Sequence, residues 1–382
     1  MTRRGTRHCW TELDLDALAG NIRRLRGALP DTTAIVFVVK SNAYGHGLAE
    51  VALRAHREGV RRFAVAHLFE AEELRRLLPR DEILVVGALQ PADAAAAAAL
   101  DVVPVVVSES HARRLVEACR SARVRLRCHL KIDTGMGRLG VPWEQAAAIA
   151  ERLHRKPELA CEGLCSHFAS ADESDRTFAD TQARRFRSVL RDCEQRGIPA
   201  GFRHIANSGG LQCEAQWDFD GVRPGILLYG YEQRPPAAPG DTAPDEARSI
   251  PTTPCLQWRT RVLQVKPVPA GFPVSYGSTY TAPRPTCIAT IDAGYADGVS
   301  RLLSNRGAVL IRGQRHPIAG RVTMNLVTVD VGPDSRVEDG DRVTLLGRDG
   351  DAAIWADEIA QWAQTISYEV LTSIRTADRR VL

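Results

Sequence analysis

The sequence predicts an α/β chain: an N-terminal (β/α)8 barrel of the TIM type followed by a C-terminal β-strand domain. Three observations carry this. Between about residues 34 and 228, short apolar runs alternate with longer amphipathic or Ala-rich segments. Several of these runs are rich in Val, Ile and Leu, as strands covered on both faces are. Beyond a Pro-, Ala- and acid-rich stretch at 233–254, the apolar runs become short and are separated by Gly, Pro and Asp, which is the pattern of an all-β domain.

Strands are expected at 34–39, 63–67, 83–87, 102–107, 124–132, 159–168, 202–206 and 222–228. Helices are expected between them at 48–58, 70–78, 91–100, 109–121, 143–155 and 172–196. Pro91 and Pro142 stand where a first helical turn starts, because a missing N–H costs nothing there. Gly197-Ile198-Pro199 stops the long helix. The later β runs fall at 258–266, 286–292, 307–311, 315–319, 321–331 and 341–346, with one helix at about 355–364. The domain boundaries are therefore a barrel over 10–232, a linker or exposed excursion over 233–254 and a β domain over 255–382. Residues 1–9 are expected to pack on the last. A doubly wound sheet gives a similar alternation, and alternation alone does not separate it from a barrel.

Composition excludes several function classes. The 382 residues carry a formal net charge of only +4 with no basic block, so nucleic acid is not an expected partner. No apolar run approaches the roughly 18 residues of a membrane span. The basic N-terminus leads into Trp10-Thr11-Glu12-Leu13 rather than an apolar signal core, so a cytoplasmic location is expected. Nine cysteines without a Cys-x-x-Cys pair read as reduced thiols, and no metal site is expected. Of 50 basic residues only Lys40, Lys131, Lys156 and Lys266 are lysines. Arg stays protonated, whereas a Lys amine deprotonates and forms Schiff bases. A Lys at a buried-looking position therefore marks chemistry.

Placed on the proposed strands, the unusual polar residues fall at carboxyl ends. Lys40 ends strand 1, Lys131 ends strand 5 ahead of Arg138, and His167 ends strand 6. Asn207-Ser208 follows strand 7, and Arg223 lies at strand 8. In a barrel these ends converge on one face. Ser208-Gly209-Gly210 and Gly225-Ile226 offer a hydroxyl and backbone N–H groups where barrels commonly bind phosphate. A lone Lys, phosphate donors and a partner for a ring nitrogen together point to pyridoxal 5'-phosphate carried on lysine. Each residue also has a structural alternative. Lys131 pairs with Asp133, His167 is a satisfied core histidine, Arg223 is an ion pair, and Tyr276 and Met324 simply pack. His46 reads as structural.

The stretches VVKSNAYGHG (38–47), KIDTGMGRLG (131–140), ANSGG (206–210), VRPGILLYG (222–230), VSYGSTY (274–280), DAGYADG (292–298), GRVTMN (320–325) and ISYEVLTSI (366–374) resemble alanine racemase, a family of fold-type III pyridoxal-phosphate enzymes. The matches run in family order across nearly the whole chain. The resemblance implies that Lys40 holds the cofactor and acts as base on one face of the substrate. It places Tyr44, Ser208, Gly225, Ile226 and Tyr368 at the phosphate, and Arg223 at the pyridine nitrogen. Arg138 would approach the cofactor's phenolic oxygen and the substrate carboxylate, oriented by a carbamate on Lys131 of the kind many family members carry. His167 would lie near Arg223 and Tyr276. From a second subunit Tyr276 would be the opposite-face base, Met324 would meet the substrate carboxylate and Tyr295 would line the entrance. A head-to-tail homodimer with shared active sites, an amino-acid substrate and a supply of D-alanine for peptidoglycan are implied in the same way.

Racemisation takes a proton from one face and returns it on the other, so it needs two bases. Lys and Tyr both have ordinary pKa values of about 10 and must be tuned downward. Arg223 in place of a carboxylate leaves the ring nitrogen unprotonated, which disfavours decarboxylation and transamination. Ser41, Thr323, Asn325 and the tail after Ile374 depart from the family's usual residues. The alternatives are a broader racemase acting on serine or lysine, a fold-type III decarboxylase, and a non-catalytic pyridoxal-phosphate-binding protein.

Overall fold

The computed structural model describes residues 9–232, 248, 250–376 and 378–382. The N-terminal residues 1–8 and most of the expected linker at 233–254 lie outside the described residues. By contacts, the chain divides into two compact units. One comprises Leu18–Ala43 and Gly47–Thr253; the other comprises the described residues up to Ala17, Tyr44–His46 and Pro254–Leu382.

The first unit is the expected barrel. Its strands are β1 (Ala34–Val38), β2 (Arg62–Val65), β3 (Glu82–Ala88), β4 (Val103–Val106), β5 (Leu126–Asp133), β6 (Leu159–Cys165), β7 (Phe202–His204) and β8 (Gly221–Val222). Strands β1 to β7 pair in parallel in chain order, and β8 pairs in parallel with β1. The Arg223 N–H donates to the Ala206 carbonyl at 2.9 Å, linking the ends of β7 and β8. Alternation alone had left a doubly wound sheet open; the return of β8 to β1 decides for the barrel. Residues of both parities in β1 and β4 are buried, as expected for strands with side chains inside and helices outside.

Several boundaries differ from the sequence expectation. The eighth strand is only two residues long, because Pro224 has no N–H for a ladder and Gly225 begins a turn. The long helix begins at Thr177 rather than at 172. The helix after Asn207, unclear in the sequence, runs over Ser208–Cys213 with the Asn207 side chain accepting the Gly210 N–H. A helix at Leu15–Ala28, not expected, buries Leu18, Ala19, Ile22 and Leu25.

Strand period places the chemistry of β5. Cys128 on β5 faces Cys161 on β6, and a bulge at Glu162 then sets His129 opposite Gly163 and Lys131 opposite Cys165. Gly163 is a glycine for space: a Cβ there would lie 2.7 Å from the His129 ring. His129 and Lys131 thus share one face of β5.

The second unit is built on the long strand β9 (Leu256–Val268). Trp10–Leu13 pairs with it antiparallel and with Asp378–Val381 in parallel. Strands β10 (Thr286–Ile291), β11 (Ala308–Ile311), β12 (Gln314–Pro317), β13 (Val327–Gly332) and β14 (Arg342–Asp349) complete most of the sheet. The expected strand at 321–331 begins only at Val327. Residues 323–326 form a tight turn in which the Thr323 N–H donates to Leu326 O at 3.0 Å and the Leu326 N–H to Thr323 Oγ1 at 3.2 Å. Among the described residues no helix is long and apolar enough to cross a membrane.

Candidate active site

Lys40 follows β1 and opens a turn of unusual hand. Ser41, Asn42, Ala43 and Tyr44 have φ of 54°, 55°, 53° and 53°. None is glycine, and left-handed backbone costs such residues roughly 1–2 kcal/mol each. The turn is held from several sides. Ala43 N–H donates to Val39 O at 2.9 Å, Gly47 N–H to Asn42 O at 2.9 Å, and Leu48 N–H to the Asn42 side chain at 2.9 Å. Strain maintained at this point marks a position that the fold over-determines.

Four cations converge at the mouth of the barrel. Burial lowers the pKa of the Lys40 amine, the Arg138 guanidinium lowers it further, and Glu70 opposes both. Burial, with Arg223 and Arg138, lowers Lys131 to about 8, against the opposing influence of Cys165 and Asp133. His167 is held well below its ordinary value by burial first, then by Lys131, Arg223, Arg138 and Lys40. Lys40, Lys131, Arg138 and Arg223 are therefore all within electrostatic reach of His167. Convergence at the strand ends is what the barrel requires.

Arg223 forms the floor. Its buried guanidinium donates through Nη2 to Ser166 O at 2.7 Å, Ile205 O at 2.9 Å and His167 Nδ1 at 3.1 Å, and through Nη1 to His204 Nδ1 at 2.5 Å. Burial pulls it down to about 10, which leaves it cationic at neutral pH. All four acceptors are neutral, so the ion-pair alternative for Arg223 fails. Because an arginine only donates, both Nδ1 atoms accept, and each neutral imidazole carries its proton on Nε2. The proton on His204 Nε2 then points to His129 Nδ1 at 2.9 Å. His129 and His204 were missed as site residues. Their signals were His129 two positions before Lys131 on the same strand face and His204 just before the Ile205-Ala206-Asn207-Ser208 run.

Ser208 Oγ accepts the Gly225 N–H at 3.0 Å and the Leu227 N–H at 3.4 Å. This leaves its own O–H to donate. Ser208, Gly225 and Ile226 are buried, the last two just after Arg223 in the chain. A lysine with a lowered pKa, a phosphate-sized group of donors and a buried guanidinium form a donor set that fits pyridoxal phosphate.

The remaining expected residues lie on the second unit. Tyr44 is buried, and burial raises its phenol above the ordinary range; its ring centroid is 5.9 Å from that of Tyr368. Tyr276, Tyr295 and Met324 surround a hollow of about 460 Å3 with Arg301, Thr323 and Asn325. They are 74%, 44% and 56% exposed, so Tyr276 and Met324 are not the packed core residues of the alternative reading. Tyr276 sits in a strained loop: Ser275, Gly277 and Ser278 have φ of 63°, 70° and 49°. Ser275 Oγ donates to Arg321 O at 2.7 Å, tying this loop to the one that carries Met324. Gly294 lets the Tyr295 loop approach the same segment, since a Cβ there would lie 2.3 Å from Met324 O.

The chain matches the family models described as alanine racemase, N-terminal domain, over residues 13–233 and alanine racemase, C-terminal domain, over residues 255–382. It is 42% identical over 367 residues to the alanine racemase of Syntrophobacter fumaroxidans, covering 96% of this chain and 95% of that one. Among solved structures, alanine racemase from Bacillus anthracis with bound L-Ala-P superposes with a TM-score of 0.88 at 34% identity, covering 99% of this chain and 96% of that one. Alanine racemase from Bartonella henselae with covalently bound pyridoxal phosphate gives a TM-score of 0.86 at 28% identity, covering 98% of this chain and 99% of that one. With relationship on this scale over both units, and a barrel mouth suited to the cofactor, the chain belongs to the alanine racemase family.

Proposed function

We propose that this enzyme interconverts L-alanine and D-alanine with pyridoxal phosphate, using Lys40 and Tyr276 as bases on opposite faces of the substrate. The observation that carries the proposal is the pairing of a lysine amine with lowered pKa and a buried arginine floor at one barrel mouth. Bound pyridoxal phosphate supplies the electron-withdrawing ring that acidifies the substrate's α-hydrogen.

The chain's own residues do the rest. Lys40 would hold the cofactor through its Nζ and would move the substrate's proton at that atom. Ser208 O–H and the Ile226 N–H would bind the phosphate, while the Gly225 N–H holds the Ser208 hydroxyl in place; the family resemblance adds the phenols of Tyr44 and Tyr368. Arg223 would face the ring nitrogen with a group that does not give up its proton, which supports racemisation over decarboxylation. Arg138 orients the substrate carboxylate. A carbamate on Lys131 fits the site, because burial pulls its amine down to about 8 and so raises its neutral, nucleophilic fraction.

Tyr276, Tyr295 and Met324 act from the partner subunit of a head-to-tail homodimer. Their exposure around one hollow supports this, since large apolar side chains left in a cluster at the surface mark an interface. A cytoplasmic location and a supply of D-alanine for peptidoglycan complete the proposal. Thr323 and Asn325 line the same hollow as Met324, which keeps a broader racemase in view as the second reading.

Lys40→Ala tests the assignment directly. It is expected to abolish both the visible absorbance of the lysine-linked cofactor and the conversion of alanine. Full absorbance and conversion in the variant would remove Lys40 from its role.

A further inference from the structure

Glu70 lies on the helix Leu68–Leu77 that follows β2, and its side chain is buried. Its two carboxylate oxygens have separate tasks. Oε2 accepts Ala66 N–H at 2.8 Å and His67 N–H at 3.1 Å, closing the first turn of its own helix. Oε1 reaches the neighbouring strand's loop and accepts Ser41 N–H at 2.5 Å. That amide directly follows Lys40 and is the first of the left-handed turn. We propose that Glu70 is a positioning residue for Lys40, clamping the strained turn that aims the amine and holding a negative charge beside it.

The first task alone is an ordinary capping box, in which a carboxylate three residues into a helix reaches back to the cap N–H. The second is not required by the helix. A hydrogen bond to a charged acceptor is stronger than a neutral one, and here it falls where the backbone conformation is least favourable for a non-glycine residue. The charged and titratable groups that face Lys40 are Arg138 from the loop after β5, His167 from the end of β6 and Glu70. Among the described residues, Glu70 is the one of these with a negative charge. It opposes the lowering of the Lys40 amine by burial and by Arg138.

The inference rests on Lys40 being the reacting lysine, and Glu70→Gln in the holoenzyme tests it. Gln caps a helix as Glu does, so a capping role alone predicts wild-type behaviour. With one –NH2 in place of an oxygen, however, Gln cannot accept from both sides. Hydrogen exchange at the Ser41 amide is expected to accelerate about ten-fold or more, the loss of one charge-assisted bond. The acid limb of the pH–rate profile with alanine is expected to move to lower pH, because a charge favouring protonated Lys40 has gone. Glu70→Gln is expected to lower turnover as the turn loosens, and Ser41→Gly in the same background, which lowers the cost of the left-handed turn, is expected to restore part of it. Unchanged Ser41 exchange, or an unmoved acid limb, would overturn the proposal. Lys40→Ala keeps the two failures apart: activity in that variant would condemn the role of Lys40, whatever Glu70 does.

Discussion

Arg223 donates through Nη2 to Nδ1 of His167 at 3.1 Å, and this bond decides which nitrogen of His167 carries the proton. The same guanidinium fixes His204, which in turn faces His129. A single arginine thereby sets the tautomers along a row of buried imidazoles under the site.

Replacing Arg223 tests this row. Arg223→Leu leaves the carbonyls of Ser166 and Ile205 without that donor in a buried place. Stability is expected to fall by at least about 2 kcal/mol, measured by denaturant unfolding. The pKa of His167 and of His204 is expected to rise, because a neighbouring positive charge that lowers both is removed; NMR titration reads this. Unmoved histidine titrations would show that burial alone holds them neutral.

Tyr276→Phe removes one hydroxyl from an exposed side chain and leaves the lysine side intact. Cofactor absorbance is expected to persist while racemisation falls by about 10²–10⁴-fold, the usual contribution of a general acid or base. A variant with full turnover would exclude Tyr276 as a base.

Sharing of sites across a homodimer has a numerical signature. Lys40→Ala and Tyr276→Phe are each expected to be nearly inactive. After subunit exchange in an equal mixture, half of the dimers combine the two variants, and each of these carries one intact site. About a quarter of wild-type activity is then expected. No recovery would mean that Lys40 and Tyr276 act within one chain.

With CO2 depleted, so that its amine is free of carbamate, Lys131 links pH to stability. Its pKa is lowered from 10.5 to about 8 in the fold, so the unfolded chain binds more protons between those values. Stability is therefore gained as pH rises from about 8 to 10.5. In Lys131→Met this part of the rise is expected to disappear from denaturant midpoints measured across that range. A carbamate on Lys131 predicts in addition that depletion of CO2 lowers the wild-type rate and that bicarbonate restores it.

Much of the architecture was legible because it depends on local patterns. Val- and Ile-rich runs such as 102–107 are buried on both faces, and Gly197 with φ of 67° ends a helix as its position implied. Residues separated by whole elements, Lys40, Lys131, His167 and Arg223, could be gathered because strand ends of a barrel share a face. What was not legible depends on distant partners. Trp10–Leu13 is a strand because Leu256–Arg259 lies beside it, and nothing within four residues announces that. The left-handed turn at Ser41–Tyr44 contains no glycine to betray it; it exists because Asn42, Glu70 and neighbouring carbonyls hold it. Glu70 had a local signature, as the third residue after His67, but that signature speaks only of a helix cap.

The most direct test of the central claim is chiral analysis of L-alanine incubated with the purified protein and pyridoxal phosphate. Progress to an equimolar mixture of L- and D-alanine is the predicted result. Alanine that remains entirely L, with the cofactor bound, would contradict it.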